Sequence, residues 1–391
     1  MRVGLLYPTR DPLSPGNWSG TPQGLRDGFA SLGIEVVPVG ARLPIGMHQA
    51  VAVLSRAGGK RGAAAERTLI RQWSRTWALS RSLEAAGELD ALVAMGTEMY
   101  DLAAVRSPSI PVATYDDATL MQMWRHPNAD IRQLGYTEQE VLRWFDRQGA
   151  SSRAADVCCA STEWAAHSLV DDYSVEADRV RVIGIGHRPR RHVDAFARDW
   201  SSPRFLFIGV DWIRKNGDAV LRAFSELRRD VPDATLDVVG QHPKLNIRGV
   251  KGHGFLQRQD RGAQAVLDAL FETATAFVLP SRFEPAGIAY LEAASAGLPV
   301  VVTTEGGARE LLGGAAIAVH PDDGPALLSA MRRLSDPSVA QQLGEKAAHH
   351  AATASWSHIA ARILRALRIQ LPATGNLLAG EADEASKIPF A

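Results

Sequence analysis

The chain has 391 residues, with 43 basic and 43 acidic side chains and a formal net charge of zero. That length exceeds what one hydrophobic core usually serves and suits two domains, while the charge balance argues against a nucleic-acid-binding surface spread over the whole protein. The two cysteines, adjacent at Cys158 and Cys159, cannot supply a disulfide framework and point to a reducing, cytoplasmic setting, and neither the opening MRVGLLYPTR nor any later apolar run reads as an export signal or a membrane span.

The first elements predicted are a strand from Val3 to Tyr7, a loop ending Asn17-Trp18-Ser19-Gly20-Thr21-Pro22, a helix from about Gln23 to Leu32 and a strand from Ile34 to Val39. This βαβ unit lacks both G-x-G-x-x-G and G-x-x-x-x-G-K-[ST], which removes the main support for dinucleotide-dependent redox chemistry and for P-loop phosphoryl transfer. Residues 41–85 are rich in base, with Arg56, Lys60, Arg61, Arg67, Arg71, Arg75 and Arg81. A helix from about Ala64 to Leu83 is expected there, with Trp73 and Trp77 one turn apart. The favoured reading is a surface helix whose aromatic stripe packs into its own domain, and contact with an anionic membrane is the lesser alternative.

Strands over Leu89–Met95 and Ile110–Tyr115 end in polar residues, Thr97-Glu98 and Asp116-Asp117. Ligands of parallel α/β sheets sit at such carboxyl ends, and a carboxylate there can orient or deprotonate a hydroxyl or simply cap a helix. A helix over Glu138–Arg153, a strand over Asp156–Ser161, a capped helix from Thr162 and a strand over Val180–Ile185 complete the first half. The unperiodic stretch Gly186–Pro203, with Arg188, Arg190 and Arg191, reads as a linker.

The second half opens with a strand over Arg204–Gly209, the loop Val210-Asp211-Trp212-Ile213-Arg214-Lys215-Asn216-Gly217 and a helix over Asp218–Arg229. Further strands are expected at Thr235–Val239, Val250–Gly254 and Ala276–Leu279. The stretch Pro280–Val302, PSRFEPAGIAYLEAASAGLPVVV, reads as turn, helix from Ala286 to about Ala296, and strand, with Pro285 at the helix start and Gly297 at its end. Glu284 and Glu292 lie roughly 12 Å apart along that helix and about 80° apart around it. Between them the first-turn N–H groups near Ala286, Gly287 and Ile288, at the positive end of the helix dipole, suit a phosphate. A ligand with hydroxyls at both ends and a diphosphate in the middle fits this spacing, and a nucleotide-sugar is one.

The run Pro280, Ser281, Glu284, Pro285, Gly287, Glu292, Ala296, Gly297, Pro299, Val300, Val301 closely resembles the donor-site signature of retaining glycosyltransferases of family 4. The resemblance covers 203–365 strongly and 1–185 in outline. It implies an α/β protein of GT-B fold, with two Rossmann-like domains facing across a cleft and a C-terminal helix crossing back to the first. The boundaries expected are 1–186 for an acceptor domain, 187–203 for a linker, 204–355 for a donor domain, 356–371 for the returning helix and 372–391 for a disordered tail.

By the same resemblance, Glu284 contacts the donor sugar near the reacting centre, Glu292 takes the ribose hydroxyls, and Arg214 and Lys215 grip the diphosphate, a cationic hold that needs no metal. Gly20 is the position that faces the donor phosphates from the first domain, and backbone groups of Ala286, Gly287 and Ile288 complete the donor site. There are two departures from the family pattern. Val210 stands where many members carry an arginine, with Arg214 as its substitute, and Asp116-Asp117 stand where many carry an acceptor-facing histidine, so that Asp117 is the acceptor-side choice. The activity implied is sugar transfer, with retention, from a UDP- or GDP-sugar to an unidentified acceptor hydroxyl, with no resident cofactor. A nucleotide-sugar 2-epimerase and a non-catalytic sugar-nucleotide-binding protein are the alternatives.

Overall fold

The structure, a computed structural model, describes residues 1–56, 66–193 and 197–370. It forms two compact units, one made of Met1–Gly186 together with the described chain from Trp356 to Gln370, the other of His187–Ser355. The first unit contains, in chain order, β1 (Arg2–Tyr7), α1 (Thr21–Ser31), β2 (Glu35–Gly40), α2 (Ile45–Arg56), α3 (Leu69–Ala86), β3 (Ala91–Ala94), α4 (Leu102–Val105), β4 (Val112–Asp116), α5 (Leu120–Arg125), α6 (Glu138–Ala154), β5 (Val157–Ala160), α7 (Glu163–Asp171) and β6 (Val180–Val182). The second continues with β7 (Arg204–Ile208), α8 (Gly217–Asp230), β8 (Thr235–Val239), β9 (Val250–Gly254), α9 (Arg261–Thr273), β10 (Ala276–Val278), α10 (Ile288–Ser295), β11 (Val300–Thr303), β12 (Ala316–Val319), α11 (Gly324–Leu334) and α12 (Pro337–Ala352). The last helix, α13 (Trp356–Ala366), belongs to the first unit.

Each unit is built on a six-stranded sheet, ordered β2-β1-β3-β4-β5-β6 in the first and β12-β11-β10-β7-β8-β9 in the second, and all the strand pairs run parallel. Strands covered by helices on both faces need apolar side chains on both, and β3 (ALVA), β4, β5 and β11 (VVVT) are buried at every position. Leu6, Leu92, Ala94, Val112 and Ala160 are among the residues at the centre of the first core. In each sheet the order reverses beside its first strand, between β1 and β3 and between β7 and β10. Loops leaving the carboxyl ends of such neighbours emerge side by side, which is where open α/β sheets take their ligands.

The last helix docks on α1. A Cβ on Gly24 would lie 2.2 Å from the indole of Trp356, so only glycine admits that ring. The Arg362 guanidinium then reaches the Ile183 carbonyl at 2.9 Å. Where the chain passes into and out of the second unit, His187 and Ser355 form an isolated parallel bridge, with His187 Nδ1 2.9 Å from the Ala354 carbonyl oxygen.

Three differences from expectation concern the basic stretch and the candidate site. Helix α2 was not foreseen. The basic helix expected from Ala64 is α3, starting at Leu69; Lys60, Arg61 and Ala64 lie outside the described residues, as does the chain from 371, which includes the expected tail. Its aromatic stripe does not pack as a unit, because the buried face is Ala78, Leu79 and Leu83, while Trp73 is 61% exposed. Arg71 and Arg75 both turn to Glu66, and Arg67 turns to Glu98, so much of that stretch's positive charge is matched locally. Helix α10 begins at Ile288, two residues later than the expected Ala286, because Gly287 takes a left-handed φ of 78° and serves as its N-cap. Among the described residues no helix is long and apolar enough to cross a membrane.

Candidate functional site

The loop after β7 is shaped by its own backbone. Asp211 Oδ1 accepts from the Arg214 N–H at 3.0 Å, and the Asp211 carbonyl accepts from the Lys215 N–H at 2.9 Å. Asn216 follows in a left-handed conformation, φ 62°, with its amide donating to the Pro321 carbonyl at 2.7 Å. The loop after β10 is sewn to it: the Arg282 N–H donates to the Arg214 carbonyl at 2.7 Å, and Arg214 Nη1 donates to the Phe283 carbonyl at 3.2 Å. Those bonds bring Arg214 and Lys215 to Glu284.

Three groups converge on Glu284 Oε2. The Lys215 ammonium donates to it, Ser281 Oγ donates at 3.0 Å, and Arg214 Nη1 lies 3.9 Å away. The carboxylate is 9% exposed, its lysine partner 14%. Burial pushes the Glu284 carboxyl up, but the Lys215 ammonium and the Arg214 guanidinium, with the bonds from Lys215 and Ser281, outweigh it and hold the group below the usual carboxylate range. Glu284 is therefore an ionised carboxylate fixed between cations.

A third loop supports this from behind. The Glu284 N–H donates to the Glu305 carbonyl at 3.0 Å and the Gly307 N–H to the Pro285 carbonyl at 3.1 Å. Gly306, at φ 101°, sits so close that a Cβ would meet the Glu284 carbonyl oxygen at 2.3 Å. Ala286, Gly287 and Ile288 then lead into α10, whose first-turn N–H groups have no i−4 carbonyl to bond. Glu292 lies further along the same helix, 9% exposed. Its Oε2 accepts from Arg190 Nη2 at 2.8 Å, while Arg190 Nη1 donates to Asp268 at 2.7 Å.

The remaining candidates lie in the first unit. Asp117, just past β4, accepts from the indole N–H of Trp18 at 2.9 Å, and Trp18 packs on Tyr115 with ring centroids 5.3 Å apart. Trp18, Ser19 and Gly20 are three successive left-handed residues, φ 38°, 55° and 87°. A left-handed tryptophan is strained, and such strain gathers at functional sites. Asp116 is buried, with Oδ1 3.4 Å from the donating Gln148 amide and Oδ2 lacking a partner among the described residues. Burial first, then the charges of Glu98 and Asp117, raise its pKa well above the carboxylate range against the Gln148 bond.

The structure thus gathers Arg214, Lys215 and Glu284 at one point, with Ala286, Gly287, Ile288 and Glu292 along the following helix, and joins the Gly20 loop to Asp117 through Trp18. Sequence reasoning passed over Arg190 and Trp18. The arginine was visible only as one of three in an unperiodic segment, and nothing in the sequence marked Trp18 as the partner of a residue 99 positions away. Val210 is 53% exposed. Among the described residues no group of three or more His, Cys, Asp and Glu side chains is placed to hold a metal ion.

Two parallel doubly wound units with this constellation at the carboxyl end of the second sheet define a GT-B fold. Residues 202–336 match the model of the family Glycosyl transferases group 1, a span that makes up most of the second of the two units. Glycogen synthase of Mycobacterium tuberculosis (strain CDC 1551 / Oshkosh) is 26% identical over 278 residues, 66% of this chain and 64% of that protein. D-inositol 3-phosphate glycosyltransferase of Frankia alni is 30% identical over 267 residues, 62% of this chain and 63% of that protein. The matches therefore span less than two thirds of the length of either relative. Among solved structures, WaaG, a glycosyltransferase involved in lipopolysaccharide biosynthesis, superposes with a TM-score of 0.59 at 16% identity, covering 97% of this chain and all of that one.

Proposed function

We propose that the protein moves a sugar, with retention of anomeric configuration, from a nucleotide-diphospho-sugar, UDP- or GDP-linked, to an acceptor hydroxyl. The observation that carries this reading is the ionised Glu284 buried against Lys215 and Arg214 at the entry to α10. A breaking glycosidic bond leaves negative charge on the departing diphosphate and positive charge on the sugar ring. Fixed cations beside a fixed carboxylate answer both charges, and they do so without reorganising during the reaction.

The donor counts agree. An ammonium has three N–H groups and a guanidinium five, so neither cation is restricted to a single acceptor. The backbone N–H groups of Ala286, Gly287 and Ile288, at the entry to α10, would add donors to the same phosphates, and Glu292 would accept from the ribose hydroxyls. Asp117, oriented by Trp18, would receive or orient the acceptor hydroxyl.

The test is incubation of the protein with UDP-, GDP-, ADP- and dTDP-sugars, following hydrolysis, epimerisation and transfer to an acceptor mixture, with NMR assignment of the product anomer. Turnover of one donor with retention, reduced a hundredfold or more in Glu284→Gln, supports the reading. A C2-epimerised donor formed without acceptor would make the protein an epimerase. Binding without turnover by any route would make it a sugar-nucleotide-binding protein.

A further inference from the structure

We propose that Arg190 is a positioning residue for the nucleotide: it holds the Glu292 carboxylate in the orientation that accepts the donor's ribose hydroxyls. The inference rests on the donor-site reading above and adds to it a residue outside the signature. Arg190 follows the last strand of the first unit in a segment whose composition suggests a tether, yet its side chain is only 4% exposed. Main chain and side chain both bond to α10. The Arg190 N–H donates to Ser295 Oγ at 3.0 Å, and Ser295 Oγ donates to the Glu292 carbonyl at 2.8 Å. The guanidinium lies over the Phe271 ring, 5.0 Å from its centroid.

The division of the guanidinium's donors is the informative detail. An arginine facing one carboxylate tends to bind it bidentately, occupying both oxygens. Here Nη2 goes to Glu292 Oε2 at 2.8 Å and Nη1 is drawn to Asp268 at 2.7 Å. A carboxylate offers about four lone-pair directions, so a single N–H fixes the rotation of the group and leaves it able to accept a diol. Without the arginine, Glu292 would be a buried acid with its charge uncompensated and its side chain free to turn.

The experiment is calorimetric titration with UDP, GDP, their 2′-deoxy counterparts and inorganic pyrophosphate, on wild type, Glu292→Ala, Arg190→Gln and Arg190→Lys, with the ligand-free thermal midpoint recorded for each. Wild type is expected to prefer the ribonucleotide by about tenfold or more, the effect of one hydrogen bond to a charged group. Glu292→Ala should abolish that preference; if it does not, the donor-site reading itself fails, and the inference with it. With Glu292 behaving as expected, Arg190→Gln should bring the preference within about threefold while pyrophosphate, held by Arg214 and Lys215, binds as to wild type. Arg190→Lys should fall between, and it decides the matter if the Gln variant does not fold. An undiminished ribose preference in the Arg190 variants overturns the inference, as does a parallel loss of pyrophosphate binding, which would make Arg190 merely structural.

Discussion

Lys215, from the loop after β7, and Glu284, from the loop after β10, meet as a buried ion pair because their strands are neighbours in the second sheet. Removing one partner of such a pair leaves a charge uncompensated, at a cost of about 3–5 kcal/mol. Lys215→Met should lose an amount near the lower end, since Arg214 remains 3.9 Å from the same oxygen. Adding Glu284→Gln should recover part of it. Urea denaturation of the single and double variants measures the coupling.

The same carboxylate sets an acid limit. Its folded pKa is depressed, so its contribution to stability is present above the unfolded value, about pH 4.3, and is lost as pH falls through the folded one. The wild-type advantage over Glu284→Gln should be constant near neutrality and shrink below about pH 4, as read from denaturation midpoints across pH.

Asp116 has the opposite sign. Its folded pKa is raised, so its contribution is fullest below about pH 3.9 and declines as pH rises towards the folded value. Asp116→Asn can still accept from Gln148 through its amide oxygen. It should stabilise the first unit by about 1–3 kcal/mol at pH 8, with the difference closing towards pH 4.

Gly306 keeps the third loop against the Glu284 backbone. Alanine there meets both a positive φ of 101° and a carbonyl oxygen 2.3 Å from its Cβ. A loss of about 1–3 kcal/mol is expected, together with weaker diphosphate binding, because relief of the clash moves Glu284 and the entry to α10. Thermal melts with and without pyrophosphate separate the two effects.

Trp18→Phe keeps a ring against Tyr115 and deletes the donor to Asp117. Stability should fall by about 1 kcal/mol. If Asp117 serves the acceptor, KM for the acceptor should rise while that for the donor stays constant, in steady-state kinetics with each substrate varied.

Much of the fold was legible because the parallel strands announce themselves. Thr235–Val239 and Val250–Gly254 were readable to the residue, being short runs closed by glycine. Helix ends were less so. Proline at 285 fits a helix start, but the left-handed Gly287 decides where α10 begins, and a glycine's φ is not written in its neighbours. At the site, spacing marked Glu284 and Glu292, since both lie on one short unit. The partners that fix them could not be found by spacing. Arg190 reaches Glu292 over 102 positions and Trp18 reaches Asp117 over 99, so each pairing exists only once the chain is folded. Trp73 illustrates the reverse error: helical periodicity placed it on a stripe with Trp77, whereas packing chose Ala78, Leu79 and Leu83.

The bridge between His187 and Ser355 means that the second unit begins and ends at one place, as an insert does. On the ribosome all its strands are therefore synthesised before Trp356 emerges. The first unit, although it starts earlier, must wait with the seat beside Gly24 unfilled until α13 arrives.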